Sequence, residues 1–189
     1  MKRIFVAVDI SAEARNKVSV YMESLKREFA NVRAGWEKAE KLHLTLKFLG
    51  ETSEAQLERL NEIVRKIASV TPVFNLQIHG TGVFPSPHKA RILWLGVGDQ
   101  QGILRKISGL LESECEKINF PTEKRDFKAH LTVARLREPH KSLEIAQTHL
   151  QNEFEPVDFE VSELVIYESV LQSTGSVYQK VSKQNLKKS

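Results

Sequence analysis

Apolar residues along this chain alternate between two periods, and the switches between them outline an order of strands and helices. Residues 4–10, Ile-Phe-Val-Ala-Val-Asp-Ile, predict a strand, and Ser11 can cap a helix in which Val18, Tyr21, Met22 and Leu25 recur at helical spacing. Residues 42–49 predict a second strand. Gly50 then turns the chain, and Ser53 with Gln56 forms a capping box for a helix to about residue 69. Its stripe of Leu57, Leu60, Ile63, Val64 and Ile67 predicts a core-facing side. Residues 73–78 and 91–97 predict strands joined by a loop with Pro85 and Pro87, 102–118 return to helical spacing, and Pro121 breaks the chain. A strand over 129–136, a helix over 142–152, and strands over 157–167 and 177–181 with a turn near Gly175 complete the order. The polar, basic tail 183–189 is expected to fray.

Strands joined by short loops, at 73–97 and 157–181, favour an α+β fold with antiparallel sheet over a doubly wound parallel one. The order strand, helix, two strands after His43 recurs after His130, an offset of 87 residues. Such a recurrence predicts an internal duplication: two pseudo-symmetric antiparallel-sheet lobes with outer helices and a central cleft. At 189 residues the chain fits one compact unit, so residues 1–182 are expected to form a single bilobal domain.

Composition adds little. Twenty-eight Lys and Arg against 24 Asp and Glu leave a formal +4, a weak preference for an anionic partner. Cys115 is the only cysteine, which excludes an intramolecular disulfide and suits a reducing cytoplasm. The first ten residues reach Asp9 after five apolar positions, too few for a signal core or a membrane span, so a cytoplasmic location is expected.

The chemistry gathers on two matching segments, Leu42-His43-Leu44-Thr45-Leu46 and Ala129-His130-Leu131-Thr132-Val133. On a strand, His and Thr two apart project from one face, leaving Leu44, Leu46, Leu131 and Val133 for the core. Imidazole titrates near neutrality, so of two facing rings one can serve as base while the other, protonated, serves as acid. Each threonine adds a hydroxyl donor for phosphate oxygens. Arg135 lies five residues after His130, a spacing that puts it on the opposite face unless a bulge or strand end intervenes.

The chain resembles the 2H phosphoesterases, named for two His-x-Thr-x motifs, and within them the RNA 2',3'-cyclic phosphodiesterases once described as 2'-5' RNA ligases. The matching stretches are His43-Leu-Thr-Leu-Lys-Phe-Leu-Gly-Glu51, Gly82-Val-Phe-Pro85, Arg91-Ile-Leu-Trp-Leu-Gly96 and His130-Leu-Thr-Val-Ala-Arg135, spread over nearly the whole chain. The resemblance implies a bilobal fold with both histidines in the cleft and neither metal nor nucleotide cofactor. It implies His43 as proton donor, His130 as proton acceptor, and Thr45, Thr132 and Arg135 as phosphate contacts. The implied partner is RNA with a 2',3'-cyclic phosphate end, such as a tRNA fragment, handled by a monomer away from membranes. The implied product is a 2'-phosphomonoester, with ATP-independent 2'-5' ligation as a side activity.

Two rival functions remain open at this point: a 2H phosphodiesterase for 2'-5' oligonucleotides or small cyclic phosphates, and a non-catalytic RNA- or nucleotide-binding module. Other signals carry less. Gly96-Val-Gly98-Asp-Gln-Gln-Gly102 has its last glycine one position late for a dinucleotide fingerprint and reads as a turn. His79, His88, His140 and His149 have no metal-ligand spacing and read as surface or locally bonded. Phe48 and Trp94 could stack on bases, but within apolar strands core packing is the simpler account. Lys38, Lys41 and Lys47 around the first motif, with Arg91, Arg125, Lys128 and Arg137 around the second, could guide an RNA backbone.

Overall fold

The computed structural model describes residues 1–138, 141–173 and 175–188, so His140 lies outside the described residues. In chain order the elements are β1 (Lys2–Asp9), α1 (Ala12–Glu28), β2 (Ala34–Trp36), β3 (His43–Thr52), α2 (Glu54–Val70), β4 (Phe74–Phe84), β5 (Ile92–Gly98), α3 (Ile103–Glu116), β6 (His130–Leu136), α4 (Leu143–Gln151), β7 (Val157–Val161), β8 (Glu163–Gln172) and β9 (Gly175–Asn185). The helix starts follow the sequence. The Ser11 side chain accepts from Ala14 N–H, and Ser53 with Gln56 forms a complete capping box.

Two antiparallel sheets result, ordered β3-β1-β8-β9 and β2-β6-β5-β4-β7, which is the expected α+β architecture. The duplication is visible as two strand-helix-strand-helix units, β1-α1-β3-α2 and β5-α3-β6-α4. Each unit hands its continuation to the other sheet. After α2 the chain enters the second sheet as β4 beside β5, and after α4 and β7 it returns to the first as β8 beside β1. This exchange ties the lobes together.

Burial follows from the pleat. On β1, Ile4, Val6 and Val8 face the main core, while Phe5 and Ala7 on the other face form a small second cluster with Val165 and Tyr167. Leu44, Leu46, Leu131 and Val133 are all buried, as the motif spacing predicts. His149 on α4 is fully buried, its Nε2–H donating to the carbonyls of Gly82 and Trp94 and its Nδ1 accepting from Tyr21 Oη at 2.8 Å. It is locally bonded, whereas His79 and His88 are exposed.

Two expectations need correction, and one strand was not foreseen. Residues 157–167 are two strands in different sheets, broken at Ser162. The hydrophobic run hides the break, because one-sided burial in β7 passes directly into two-sided burial at Leu164, Val165 and Ile166. The tail does not fray from residue 183. β9 continues to Asn185, Leu186 is 3% exposed, and Lys187 N–H donates to Thr71 O at 2.8 Å. The three-residue β2, too short to show a period, is an edge strand beside β6.

Candidate active site

The motif strands β3 and β6 bring His43, Thr45, His130, Thr132 and Arg135 into one cleft of about 270 Å³. Both rings are anchored in the same way. His43 Nδ1 lies 2.6 Å from Lys41 O, and His130 Nδ1 lies 2.7 Å from Lys128 O. A carbonyl only accepts, so Nδ1 carries the hydrogen in each ring and Nε2 is the nitrogen left for the cleft. Neutral, that nitrogen is a base; protonated, it is a donor.

A bulge brings Arg135 round. In the β5–β6 register Trp94 pairs with Thr132 and Leu93 with Ala134, which leaves Val133 as the extra residue. Val133 and Ala134 are both buried, and Arg135 therefore emerges on the face of His130 and Thr132. The edge strand β2 braces this bulge. Gly35 and Trp36 pair with Arg135 and Ala134, and Glu37 N–H donates to Val133 O at 2.9 Å. The Glu37 carboxylate, 3.4 Å from Arg135 Nε, then holds the guanidinium at the cleft.

An equivalent bulge in β3 changes two expectations. Thr45 pairs with Ala7 and Lys47 with Val6, so Leu46 is extra and the pleat shifts phase. Phe48 therefore shares the face of His43 and Thr45. It is 53% exposed and lines the cleft, where core packing was expected. Lys47 turns inward instead and cannot guide RNA, its ammonium lying 2.6 Å from Glu112 and 3.1 Å from Pro121 O. Trp94 is buried, as expected. It lies flat across β4 at Gly82, where a Cβ would sit 2.0 Å from the indole.

Aromatic walls surround both histidines. Phe5 stacks on His43 at 4.8 Å between ring centres, with Tyr178 edge-on at 5.1 Å, while Phe84 meets His130 edge-on at 5.2 Å. Burial, the largest influence, pushes both imidazoles below their ordinary value. The Lys41 and Lys128 carbonyls oppose it at His43 and His130 respectively. The Asp9 carboxylate also raises His43, the Lys128 ammonium lowers His130, and the Arg135 guanidinium lowers both. Arg3, Lys41, Ser169 and Ser176 complete the polar lining.

Sequence reasoning missed Phe48, Glu37 and Tyr178 as cleft residues. The spacing of Phe48 from His43 matches that of Arg135 from His130, the one signal that could have found it. The glycine-rich segment before α3 is a turn, and Asp99 fills the helix N-terminus, accepting from the N–H groups of Ile103, Leu104 and Arg105. Among the described residues no helix is long and apolar enough to cross a membrane.

The chain is similar to several known proteins. An RNA 2',3'-cyclic phosphodiesterase of Methanothermobacter thermautotrophicus is 35% identical over 178 residues, 93% of this chain and 94% of its own. One of the same name from Archaeoglobus fulgidus is 33% identical over 93% of this chain and 96% of its own. A crystal structure from Thermus thermophilus superposes with a TM-score of 0.80 at 26% identity, covering 97% of each chain. E. coli LigT complexed with 3'-AMP shares the fold, with a TM-score of 0.77 over 98% of each chain at 24% identity. A sequence profile of the LigT like Phosphoesterase family matches twice, over residues 8–94 and 95–178, one match for each half of the duplication, and the chain belongs to that family.

Proposed function

We propose that this protein hydrolyses 2',3'-cyclic phosphate ends of RNA to 2'-phosphomonoesters by two-histidine acid–base catalysis. The observation that carries the reading is the pair of anchored imidazoles, each Nδ1 fixed on a backbone carbonyl, in one cleft with two threonines and an arginine. The names of the relatives in Methanothermobacter and Archaeoglobus support the substrate class.

In this scheme His130 Nε2 takes a proton from water as its oxygen attacks the cyclic phosphorus. The P–O3' bond breaks in line, and His43 Nε2–H protonates the departing O3'. One imidazole gains the proton that the other loses, so solvent exchange resets the pair. Arg135 and the hydroxyls of Thr45 and Thr132 hold the equatorial oxygens, where preorganised charge supplies most of the rate. Phe48, exposed on the same face as His43, offers a platform for the terminal base.

With an RNA 5'-hydroxyl in place of the attacking water, the same in-line displacement would break P–O3' and join the 5'-oxygen to phosphorus, forming a 2'-5' linkage without ATP, a side activity given the high concentration of water. Action by a single copy in the cytoplasm, on ends such as those of tRNA fragments, belongs to the same proposal. The test is product analysis on a 2',3'-cyclic-ended oligonucleotide in chelator. A 2'-phosphate end is expected, with slower turnover of a 2'-5' dinucleotide and of a small cyclic phosphate. A 3'-phosphate product, or dependence on added divalent metal, would sink the scheme. Tight binding with no product after long incubation would favour a binding module.

A further inference from the structure

The motif strands are built alike, so whatever makes one histidine an acid and the other a base lies outside the motifs. The cross-strand neighbours differ. In the β1–β3 register Asp9 stands opposite His43, and in the β5–β6 register Gly96 stands opposite His130. Asp9 and Gly96 are themselves 87 positions apart, the offset of the histidines. Directly opposed residues of an antiparallel pair point the same way, with Cβ atoms about 4.5–5.5 Å apart. One ring therefore has a carboxylate beside it and the other has bare backbone. The glycine is required, because a Cβ at Gly96 would lie 2.7 Å from His79 O.

We propose that Asp9 is the positioning residue that polarises the pair, its carboxylate making His43 the ring that brings a proton to the leaving oxygen. The inference rests on the two-histidine reading above and deepens it. Asp9 is held at both oxygens, Oδ1 accepting from Tyr167 Oη at 2.6 Å and Oδ2 from Lys180 Nζ at 2.7 Å. The rings of Phe5 and Tyr167, 4.8 and 5.9 Å from that of His43, keep water from much of the space around it.

The charged surroundings of the two histidines are unequal. Asp9 from β1 and Arg135 from β6 act on His43, with Arg3, Lys41 and Tyr178 lining the same cleft. Lys180 from β9 opposes Asp9, and Glu163 of β8 draws on the same ammonium at 4.0 Å. Lys128 and Arg135 act on His130, both cations, and the cleft carboxylate of Glu37 is engaged with Arg135. Burial disfavours the proton on both rings, and Arg135 adds to burial at both; Asp9 works against it at His43, while Lys128 adds to it at His130.

The experiment follows both imidazoles by NMR titration and records kcat/KM against pH for wild type, Asp9→Asn and Lys180→Met. Asparagine keeps an acceptor for Tyr167 and removes the charge together with the oxygen that accepts from Lys180. In Asp9→Asn the His43 midpoint and the basic limb are expected to move down by about 0.5–1 pH unit, with His130 and the acidic limb in place. Lys180→Met frees the carboxylate from its counter-ion and should move the same limb up. That variant carries the test alone if Asp9→Asn fails to fold. A purely structural Asp9 would lower activity at every pH with neither limb displaced, and that result overturns the proposal, as does a downward shift in Lys180→Met. Movement of the acidic limb in place of the basic one would make His43 the base and overturn its assignment as donor. A failure of the two-histidine reading itself would show separately, as wild-type protein inactive on the cyclic-ended oligonucleotide.

Discussion

The two motif strands share a plan as far as the threonine and then part. Strand β3 presents His43, Thr45 and Phe48 to the cleft, and β6 presents His130, Thr132 and Arg135. Each strand carries a bulge one residue past its threonine, at Leu46 and Val133, so the third position of both sets returns to the face of the histidine. Duplication thus supplied two copies of an anchored imidazole with a hydroxyl, and the third position differs, an aromatic ring in one copy and a guanidinium in the other. The phenylalanine side suits a flat, uncharged base, while the guanidinium side suits a phosphate. A symmetric catalyst would have no means of telling the leaving oxygen from the attacking one.

The largest effects should come where the halves are alike. His43→Ala and His130→Ala are each expected to lose at least about 10²–10⁴-fold in kcat, measured on the cyclic-ended oligonucleotide. Near-normal turnover in either variant would break the acid–base pairing. Next comes the position where the halves differ. Arg135→Ala should cost about 10²–10³-fold, as expected for a donor aimed at developing charge, and Arg135→Lys should recover only part, because an ammonium lacks the planar fork. Full recovery by lysine would reduce Arg135 to a point charge.

The pH profile sharpens the same comparison. His130 must be neutral to act as base, and its value is pushed below 6.5 by burial first and then by Lys128 and Arg135, so the acidic limb of kcat/KM should fall below 6.5. His43 must be protonated to act as acid and is also lowered, so the basic limb sets in early and the optimum of kcat/KM lies on the acid side of neutrality. Bound phosphate favours both imidazoliums, and the profile of kcat should sit at higher pH than that of kcat/KM. Profiles that coincide would show that the substrate's charge does not reach the rings.

Much of this was legible in the residues. Alternation fixes which face His43 and Thr45 share, the capping residues fix where α1 and α2 begin, and the recurrence at 87 residues foretells the paired lobes. What escaped depends on pairing between distant strands. A bulge is set by the partner's register, so nothing within Leu46-Lys47-Phe48 announces that the lysine turns in to Glu112 and the phenylalanine turns out. The role of Ala34–Trp36 depends likewise on Val133, about a hundred positions on. The break at Ser162 leaves no mark because both flanking segments are apolar and no glycine or proline intervenes.

Phe48→Ala should cost about tenfold, chiefly in KM, if a base stacks on the ring at the usual 1–3 kcal/mol, and the loss should vanish on a cyclic phosphate that lacks a base. The smallest expected effect belongs to Glu37, which touches the guanidinium and braces the bulge only through its backbone. Arg135 is 58% exposed, so the ion pair is worth at most about 1 kcal/mol, and Glu37→Gln should lower kcat/KM by no more than about fivefold. In an Arg135→Ala background the same change should have no further effect, since the carboxylate would then have nothing to orient. Equal losses in both backgrounds would show that Glu37 meets the substrate directly, giving the second motif a functional contact from the residue after β2 that the first motif lacks.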